Sequence, residues 1–314
     1  MTGQPVTTPT FTVLIPTRAR PESLRRCMAA LAAQDYPREC YDVIVVDDGS
    51  PESVRPVIDL YRPALRVELI EQSNAGPAAA RNAGAERATG ELLAFTDDDC
   101  APVPSWLTCL ARALEATPGR LIGGPSVNRV DNSFSEVSQQ LVSYLYEYYN
   151  TGDHGVRFLT SNNMALPADR FHEIGGFNTA FPRAAAEDRD FCERWRRSGY
   201  AMGYVPEAIV EHYHVLDLNG FLRQHFNYGR GALGFQRARM DRGYAKLEVE
   251  PMSFYMKLLK YPLSGEFSAR GLLLVGLMGV TQIVNAAGFF WQAIVSRKTD
   301  RIVDSQQSTV DSQP

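Results

Sequence analysis

A strand-like stretch that ends in three carboxylates constrains this chain more than any other feature. Residues 92–95 form an apolar run with the length of a buried strand, and Asp97, Asp98 and Asp99 follow almost at once. Like charges this close repel each other, so water or a bound cation must offset them. Carboxylates at the carboxyl end of a strand lie where open α/β sheets bind their ligands. Taken alone, the stretch is explained equally well by an acidic surface turn.

Strands and helices alternate along the first third of the chain. Residues 11–15, 42–46 and 65–71 have the composition of buried strands. Residues 22–34, between the first two of these runs, have helical spacing with an apolar face. The alternation predicts an α/β fold with a doubly wound, mostly parallel twisted sheet flanked by helices.

Two further polar stretches fall at expected ligand-binding positions. Asp47 and Asp48 follow the second strand, whose carboxyl end should share a sheet edge with the first acidic turn. Asp-Gly is also a common structural turn, so both explanations stay open. Arg81 and Asn82 lie near a helix start that could face a diphosphate, although an arginine here is more often a surface residue.

The composition limits the class of protein. With 314 residues, the chain is one large domain or one domain with an appendage. Its net charge of −4 argues against general nucleic-acid binding, so we expect no nucleic-acid partner. The five cysteines are odd in number and form no Cys-x-x-Cys pair, which favours a reducing compartment without a zinc site. The N-terminus lacks a basic start and an apolar core, so we expect no secretory signal.

The order of these motifs resembles the family 2 glycosyltransferases of the GT-A fold. The resemblance covers about residues 11–215, and the ordered series is more specific than any one motif. The matching stretches are Val13-Leu-Ile-Pro-Thr-Arg18, Val45-Val-Asp-Asp-Gly-Ser50, Gly76 with Arg81-Asn82-Ala-Gly84, and Phe95-Thr-Asp-Asp-Asp-Cys100 before Pro104 and Trp106.

The resemblance implies a donor site on this sheet edge. It implies that Asp47 or Asp48 holds the nucleotide base, and that Asp97 and Asp99 form an Asp-x-Asp pair. Asp99 is then nearest to a Mn²⁺ or Mg²⁺ ion, a cation that prefers oxygen ligands. The other nucleotide-binding residues expected from it are Pro16, Thr17, Arg18, Arg81, Asn82 and Asp98.

Glu187 and Asp188 begin a predicted helix, where the helix dipole alone would favour carboxylates. After an Asp-x-Asp turn and a Gly-Gly-Phe turn, the resemblance makes Asp188 the catalytic base and Glu187 an acceptor or positioning contact. It also adds His212 to the metal ligands, with His214 as the rival, although a lone histidine is usually structural. The expected acceptor-binding residues are Trp106, Asn162, Asn163, Gly176 and Phe177.

An uncharged run in the C-terminal part predicts membrane contact. Residues 271–296 carry no charge, and as a helix they would be about 39 Å long, enough to cross a bilayer. Polar residues interrupt this run, so a helix on the membrane surface or a buried helix stays open. A basic stretch before it could bind anionic lipid or phosphate, although such runs are usually solvated helix faces. We expect a flexible N-terminus over residues 1–9 and a glycosyltransferase domain over residues 10–215. A helical membrane-associated region should follow over residues 216–298, and a disordered tail over residues 299–314.

These observations predict an inverting, metal-dependent glycosyltransferase. It would move a sugar from a nucleotide-diphosphate donor, a UDP-sugar first of all, to a hydroxyl of a glycan or lipid-linked acceptor. We expect it at the cytoplasmic side of the cell membrane, with a soluble cytoplasmic enzyme as the alternative. A sugar-phosphate nucleotidyltransferase should carry a glycine-rich N-terminal loop, which residues 16–21 lack. A non-catalytic binding protein should have lost an acidic motif, and all are present.

Overall fold

The computed structural model describes residues 8–151, 155–181, 185–243, 249–264 and 268–310, with side chains up to residue 296. The strands are β1 Phe11–Thr17, β2 Tyr41–Asp48, β3 Val67–Gln72, β4 Leu92–Thr96, β5 Cys100–Pro102, β6 Leu121–Gly123, β7 Ser126–Asn128, β8 Asn163–Pro167, β9 Met202–Tyr204 and β10 Val210–His212. The helices are α1 Pro21–Ala32, α2 Arg55–Tyr61, α3 Pro77–Arg87, α4 Trp106–Ala116, α5 Ser133–Asn150, α6 Ala168–Ile174, α7 Glu187–Arg197, α8 Leu218–Asp241, α9 Met252–Lys260 and α10 Ala269–Val310.

The chain divides into two compact units. The first comprises residues 1–183 and 187–215, and the second comprises residues 184–186 and 216–314. Of the predicted flexible N-terminus, residues 1–7 lie outside the described residues. Helix α10 continues through residues 299–310 of the predicted disordered tail, and residues 311–314 lie outside the described part.

The first unit is built on a seven-stranded sheet with the order β3-β2-β1-β4-β8-β6-β9. Strands β1 to β4 pair in parallel, whereas β8 runs antiparallel to both β4 and β6. The predicted mostly parallel α/β fold is confirmed. Strand β8 runs antiparallel to its neighbours, a direction that the sequence pattern did not indicate.

Helices cover both faces of this sheet. Val13 and Ile15 of β1 belong to one apolar core, and Leu14 between them belongs to the other; all three are fully buried. Helices α1 and α4 contribute to the first core, and α3 and α7 contribute to the second. This two-sided burial explains why the strands appear in the sequence as continuous apolar runs without polar alternation.

A second, three-stranded sheet has the order β5-β10-β7. Strand β10 pairs antiparallel with β5, which places His212 opposite Cys100 and beside the acidic turn. The sequence pattern suggests one strand over residues 205–210, and this prediction is wrong. Pro206 has no N–H to donate to a ladder, and the chain instead makes a turn in which the Ala208 amide donates to Val205 O at 3.1 Å.

The second unit contains α8, α9 and α10. Helix α8 packs closely against α10, where Gly229 faces the backbone of Asn285 and Gly288 faces the backbone of Phe226. Within the described residues, one helical stretch, Ala269–Ser296, is long and apolar enough to cross a membrane by length and composition.

Candidate functional site

The candidate site lies at the carboxyl ends of β1, β2 and β4. Because these strands are parallel, their carboxyl ends meet at one edge of the sheet. Thr17 at the end of β1 donates from Oγ1 to Asp98 Oδ2 at 2.7 Å. The stretch that ends β1 and the acidic turn after β4 are thereby joined across the sheet edge.

Arg20 neutralises two carboxylates of the acidic turn. Its Nε lies 3.1 Å from Asp98 Oδ2, and its NH1 donates to Asp99 Oδ2 at 2.8 Å. Burial raises the pKa of Asp98 to about 7, although the Arg20 charge opposes this shift. Asp98 is fully buried, so we correct its predicted role as a nucleotide contact to a structural anchor. Our sequence analysis did not select Arg20, although it is the second arginine of the Thr-Arg-Ala-Arg loop.

Both predicted histidines contact Asp99. His214 Nδ1 lies 2.9 Å from Asp99 Oδ2, and His212 Nε2 lies 3.5 Å from Oδ1. Gln139 on α5 orients His212, since its Oε1 lies 3.2 Å from Nδ1 of the ring. Burial would raise the pKa of Asp99, but the two histidines and Arg20 outweigh it and hold the pKa well below its usual range.

The donor atoms of this cluster fit a divalent cation. Ligand atoms of Asp99, Cys100 and His212 all lie within 4.8 Å of one another. Carboxylate oxygen and imidazole nitrogen are ligands that Mn²⁺ accepts, and carboxylate oxygen also suits Mg²⁺. Asp97, a predicted metal ligand, is not among these three residues, and its Oδ1 accepts a hydrogen bond from Arg81 NH2 at 2.6 Å.

Arg81 is a buried bridge between the acidic turn and α7. Its NH2 donates to Asp97 Oδ1 at 2.6 Å, and its NH1 donates to Glu187 Oε1 at 3.3 Å. Burial opposes its charge, but the carboxylates of Asp97 and Glu187 outweigh burial and raise its pKa. Arg81 is an expected nucleotide-binding residue near a helix start that could face a diphosphate; in the structure its terminal nitrogens bind these carboxylates.

Asp188 lies in the first turn of α7 beside this bridge. It is half-buried, and its Oδ1 accepts a hydrogen bond from the Arg189 amide at 2.7 Å. Burial, followed by the charge of Glu187, raises the pKa of Asp188 to about 7. A partly exposed carboxylate with such a pKa can accept a proton near neutral pH.

The two acids that end β2 have different surroundings. Asp48 accepts hydrogen bonds from the Gln72 and Asn74 side chains, each at 2.7 Å, and from the backbone amides of residues 75 and 76. It therefore fixes the loop before α3. Asp47 Oδ1 accepts from Ser50 Oγ at 2.5 Å and from its amide, while Oδ2 accepts no hydrogen bond within the part of the chain that the structure describes.

The loop after β1 contacts the turn after β2. The Ala19 amide donates to Ser50 Oγ at 2.7 Å, and Arg18 Nε donates to Gly49 O at 3.4 Å. Arg18 is exposed at the edge, whereas Pro16 is buried inside β1. Of these two predicted nucleotide contacts, only Arg18 therefore presents a side chain to solvent.

Several predicted acceptor contacts are core residues. Trp106 is fully buried and donates from Nε1 to Asn163 Oδ1 at 2.8 Å. Asn163 is also fully buried and donates to Pro125 O and Ala208 O, at 3.0 and 2.8 Å. We therefore correct both residues from acceptor contacts to structural supports, because a fully buried side chain presents no surface to a substrate.

The Gly-Gly-Phe turn is tied to α3. Asn82 donates from Nδ2 to Phe177 O and accepts from the Phe177 amide, both at 2.8 Å. Phe177 is 1% exposed, and a Cβ at Gly176 would lie 2.7 Å from Asn82 Oδ1. Both polar atoms of the Asn82 side chain are hydrogen-bonded to the turn, and Phe177 is buried. We therefore reassign both residues from substrate contacts to structural roles. Asn162 is half-buried next to Cys100, with its Nδ2 3.7 Å from the sulfur.

The chain is similar to known glycosyltransferases in sequence. A family model described as glycosyl transferase family 2 matches residues 12–188. The glycosyltransferase AglE of Haloferax volcanii is 26% identical over 230 residues, which cover 72% of this chain and 74% of the relative. Validoxylamine A glucosyltransferase of Streptomyces hygroscopicus subsp. jinggangensis is 27% identical over 266 residues, which cover 72% of this chain and 63% of the relative.

Solved structures share the fold at low sequence identity. The mannosyltransferase PcManGT from Pyrobaculum calidifontis, in complex with GDP-Man and Mn²⁺, has a TM-score of 0.63 and 18% identity, covering 91% of this chain and 88% of that one. Staphylococcus aureus TarS 1–349 in complex with UDP-GlcNAc has a TM-score of 0.52 and 16% identity, covering 92% of each chain. The chain belongs to glycosyl transferase family 2 and is a glycosyltransferase of the GT-A fold that uses a nucleotide sugar.

Proposed function

We propose that this chain is an inverting, metal-dependent glycosyltransferase that transfers a sugar from a UDP-sugar to a hydroxyl of a glycan or lipid-linked acceptor. One observation carries the proposal: Arg81 joins Asp97 of the acidic turn to Glu187, next to Asp188. Arg81 thereby links Asp97, on the donor side, to the start of α7, where the proposed base Asp188 lies. TarS was solved with UDP-GlcNAc and PcManGT with GDP-Man, so the fold accommodates both nucleotides, and the UDP-sugar is the donor that we propose first.

A Mn²⁺ or Mg²⁺ ion would be held by Asp99 and His212, with Asp97 in support. When bound, the ion supplies positive charge that offsets the developing charge of the leaving nucleotide. Gln139 keeps Nε2 of His212 directed at Asp99. Arg20 binds both Asp98 and Asp99 Oδ2, and Asp99 Oδ1 faces His212.

Asp188 is the proposed base for the acceptor hydroxyl. Its carboxylate takes the proton as the acceptor oxygen attacks the anomeric carbon from the face opposite the leaving nucleotide. A single displacement of this kind inverts the configuration. Glu187, which is 4% exposed and bound to Arg81, acts as a positioning residue.

The nucleotide base is assigned to Asp47, with Thr17 and Arg18 beside it. The uncommitted oxygen of Asp47 supports this choice over Asp48, whose two oxygens hold the loop before α3. On the acceptor side, Asn162 and the backbone at Gly176 remain the proposed contacts.

The proposed location is the cytoplasmic side of the cell membrane. The apolar stretch of α10 allows membrane association. Activated sugars are made in the cytosol, so a catalytic site there meets its donor, and a lipid-linked acceptor would meet it at the bilayer.

Asp99→Asn should weaken donor binding that depends on metal. The substitution removes one negative charge from the cluster with His212, so the loss should reach at least the roughly 10- to 100-fold that an outer-shell partner costs. Calorimetry with a UDP-sugar, with and without Mn²⁺, measures it. Asp59→Asn, at an exposed ion pair with Arg62, is the control and should bind as the native chain does. Unchanged affinity and unchanged metal dependence in Asp99→Asn would remove Asp99 from this role.

The rate should rise with pH through about 7. Below the raised pKa of Asp188 its carboxyl is protonated and cannot accept the acceptor proton, whereas above it the carboxylate is available. We expect kcat/KM to increase about tenfold per pH unit below the midpoint and to level off above it. A profile measured between about pH 5 and pH 9 tests this. A profile that is already level from about pH 5 upward, as an aspartate with an ordinary pKa near 4 would give, would contradict the raised pKa.

A further inference from the structure

Helix α10 exposes apolar side chains and buries polar ones, the opposite of a surface helix in a soluble protein. Within residues 271–296 of α10, the large exposed side chains are all apolar: Leu272, Leu273, Ile283, Phe290, Trp291, Ile294 and Val295. Ile283 and Phe290 are 71% and 65% exposed. The polar residues of the same stretch, Thr281, Gln282, Asn285, Gln292 and Ser296, are buried or half-buried. A helix on the surface of a soluble domain normally turns its polar side to water.

Helix α8 occupies the polar side of α10. Arg230 of α8 donates from Nε to Gln292 Oε1 at 2.8 Å. The backbones approach closely at Gly229 and Gly288, where no side chain could be accommodated. The orientation of α10 about its own axis is therefore fixed, and its apolar stripe cannot turn inward without breaking these contacts.

We propose that the apolar stripe of α10 inserts into one leaflet of a bilayer, with the helix lying in the membrane plane. The stripe runs from Leu272 to Ile294, about 33 Å along the helix axis, without a charged residue. Helices that bind membranes in this way bury one apolar face at the boundary of headgroups and acyl chains. The proposal refines the proposed membrane location, on which it rests, and it concerns the second unit alone.

The arginines of α8 favour this orientation over a membrane crossing. Arg230 is bound to Gln292 within the apolar stretch of α10, and Arg223 and Arg237 lie on the same helix as Arg230. A crossing by the α8–α10 pair would carry these guanidinium groups into hydrocarbon, which is costly. In the membrane plane, α8 stays at headgroup level and its arginines remain hydrated.

Charge complementarity favours lipid over a second copy of the chain. Helix α9 packs against the N-terminal half of α10 and exposes Lys257 and Lys260 together with the apolar Met252 and Met256. Neither lysine forms an ion pair with a carboxylate of the described residues. Lysines beside an inserted apolar stripe attract anionic headgroups, whereas two copies meeting through this face would bring like charges together.

Vesicle flotation of the full chain tests lipid binding. We expect the protein to float with vesicles of phosphatidylcholine and phosphatidylglycerol, and less with phosphatidylcholine alone or at high salt. The double variant Ile283→Gln/Phe290→Gln should bind at least about tenfold less, because two large apolar side chains lose their burial. The control Leu60→Gln changes a residue of α2 that is 62% exposed, and it should float as the native chain does.

Tryptophan quenching by brominated lipids distinguishes the two orientations. Trp106 and Trp195 are fully buried, so quenching reports on Trp291, which is 56% exposed. A second reporter is Ile283→Trp in a Trp291→Phe background, about 12 Å along the helix from the first. A helix in the membrane plane places both reporters at the same shallow depth.

Two results would overturn the proposal. A much deeper position for the residue-283 reporter would indicate a crossing helix. Absence of flotation, with a stable dimer that Ile283→Gln/Phe290→Gln dissociates, would assign the stripe to a second copy. Neither result depends on turnover, so the proposed transfer reaction is tested separately by its own variants.

Discussion

Asp188→Asn is expected to lower kcat by about 10²- to 10⁴-fold while donor affinity stays within about threefold of the native value. An amide cannot take the acceptor proton, but it has nearly the same volume as the carboxylate and can still accept from the Arg189 amide. A base acts on the acceptor in the transition state, so its loss should affect turnover far more than ground-state binding of the donor. Steady-state kinetics and donor calorimetry on the same preparation measure both quantities.

Glu193→Gln is the matched control for this variant. It changes an acid on the same helix that pairs with the exposed Arg197, and its turnover should be close to native. Near-normal turnover in Asp188→Asn would remove Asp188 as the base. Glu187 would be a poor replacement, because it is 4% exposed and its Oε1 is bound to Arg81.

The parts of the fold that follow from local pattern were predictable. Helix α1 overlaps the predicted helix over residues 22–34, and β1 and β2 contain the apolar runs that suggested them. The carboxylates that end β2 and β4 lie at one edge because parallel strands place their carboxyl ends together. The antiparallel direction of β8 could not be predicted, since an apolar run does not reveal the direction of its pairing.

The pairing of side chains could not be predicted. Arg81 is sequentially distant from Glu187, and only the packing of α3 and α7 brings the two together. For Trp106 the resemblance was misleading, since it placed this residue at the acceptor. Its position on the apolar face of α4 correctly predicts burial. Resemblance identified the polar positions of the site, and periodicity was the better guide to which aromatic residues belong to the core.

Arg81→Met should strongly destabilise the first unit. The substitution removes the cation that lies between Asp97 and Glu187 and leaves their charges facing each other. Loss of one partner from a buried ion pair typically costs about 3–5 kcal/mol in the free energy of unfolding. Arg87→Met is the control on the same helix; its pair with Glu68 is exposed at both ends, so it should cost about 0–1 kcal/mol.

The two carboxylates that Arg81 bridges should contribute unequally to that loss. The Asp97 side chain is 26% exposed and can be hydrated, whereas the Glu187 side chain is 5% exposed and cannot. Adding Glu187→Gln to Arg81→Met should therefore restore more stability than adding Asp97→Asn, because it removes the more deeply buried charge. Urea unfolding in a Trp291→Phe background, followed through Trp106 and Trp195, reports on the first unit alone. Equal recovery by the two second substitutions would show that Arg81 stabilises the unit through its packing against Phe177, 5.7 Å from the ring centroid, more than through charge.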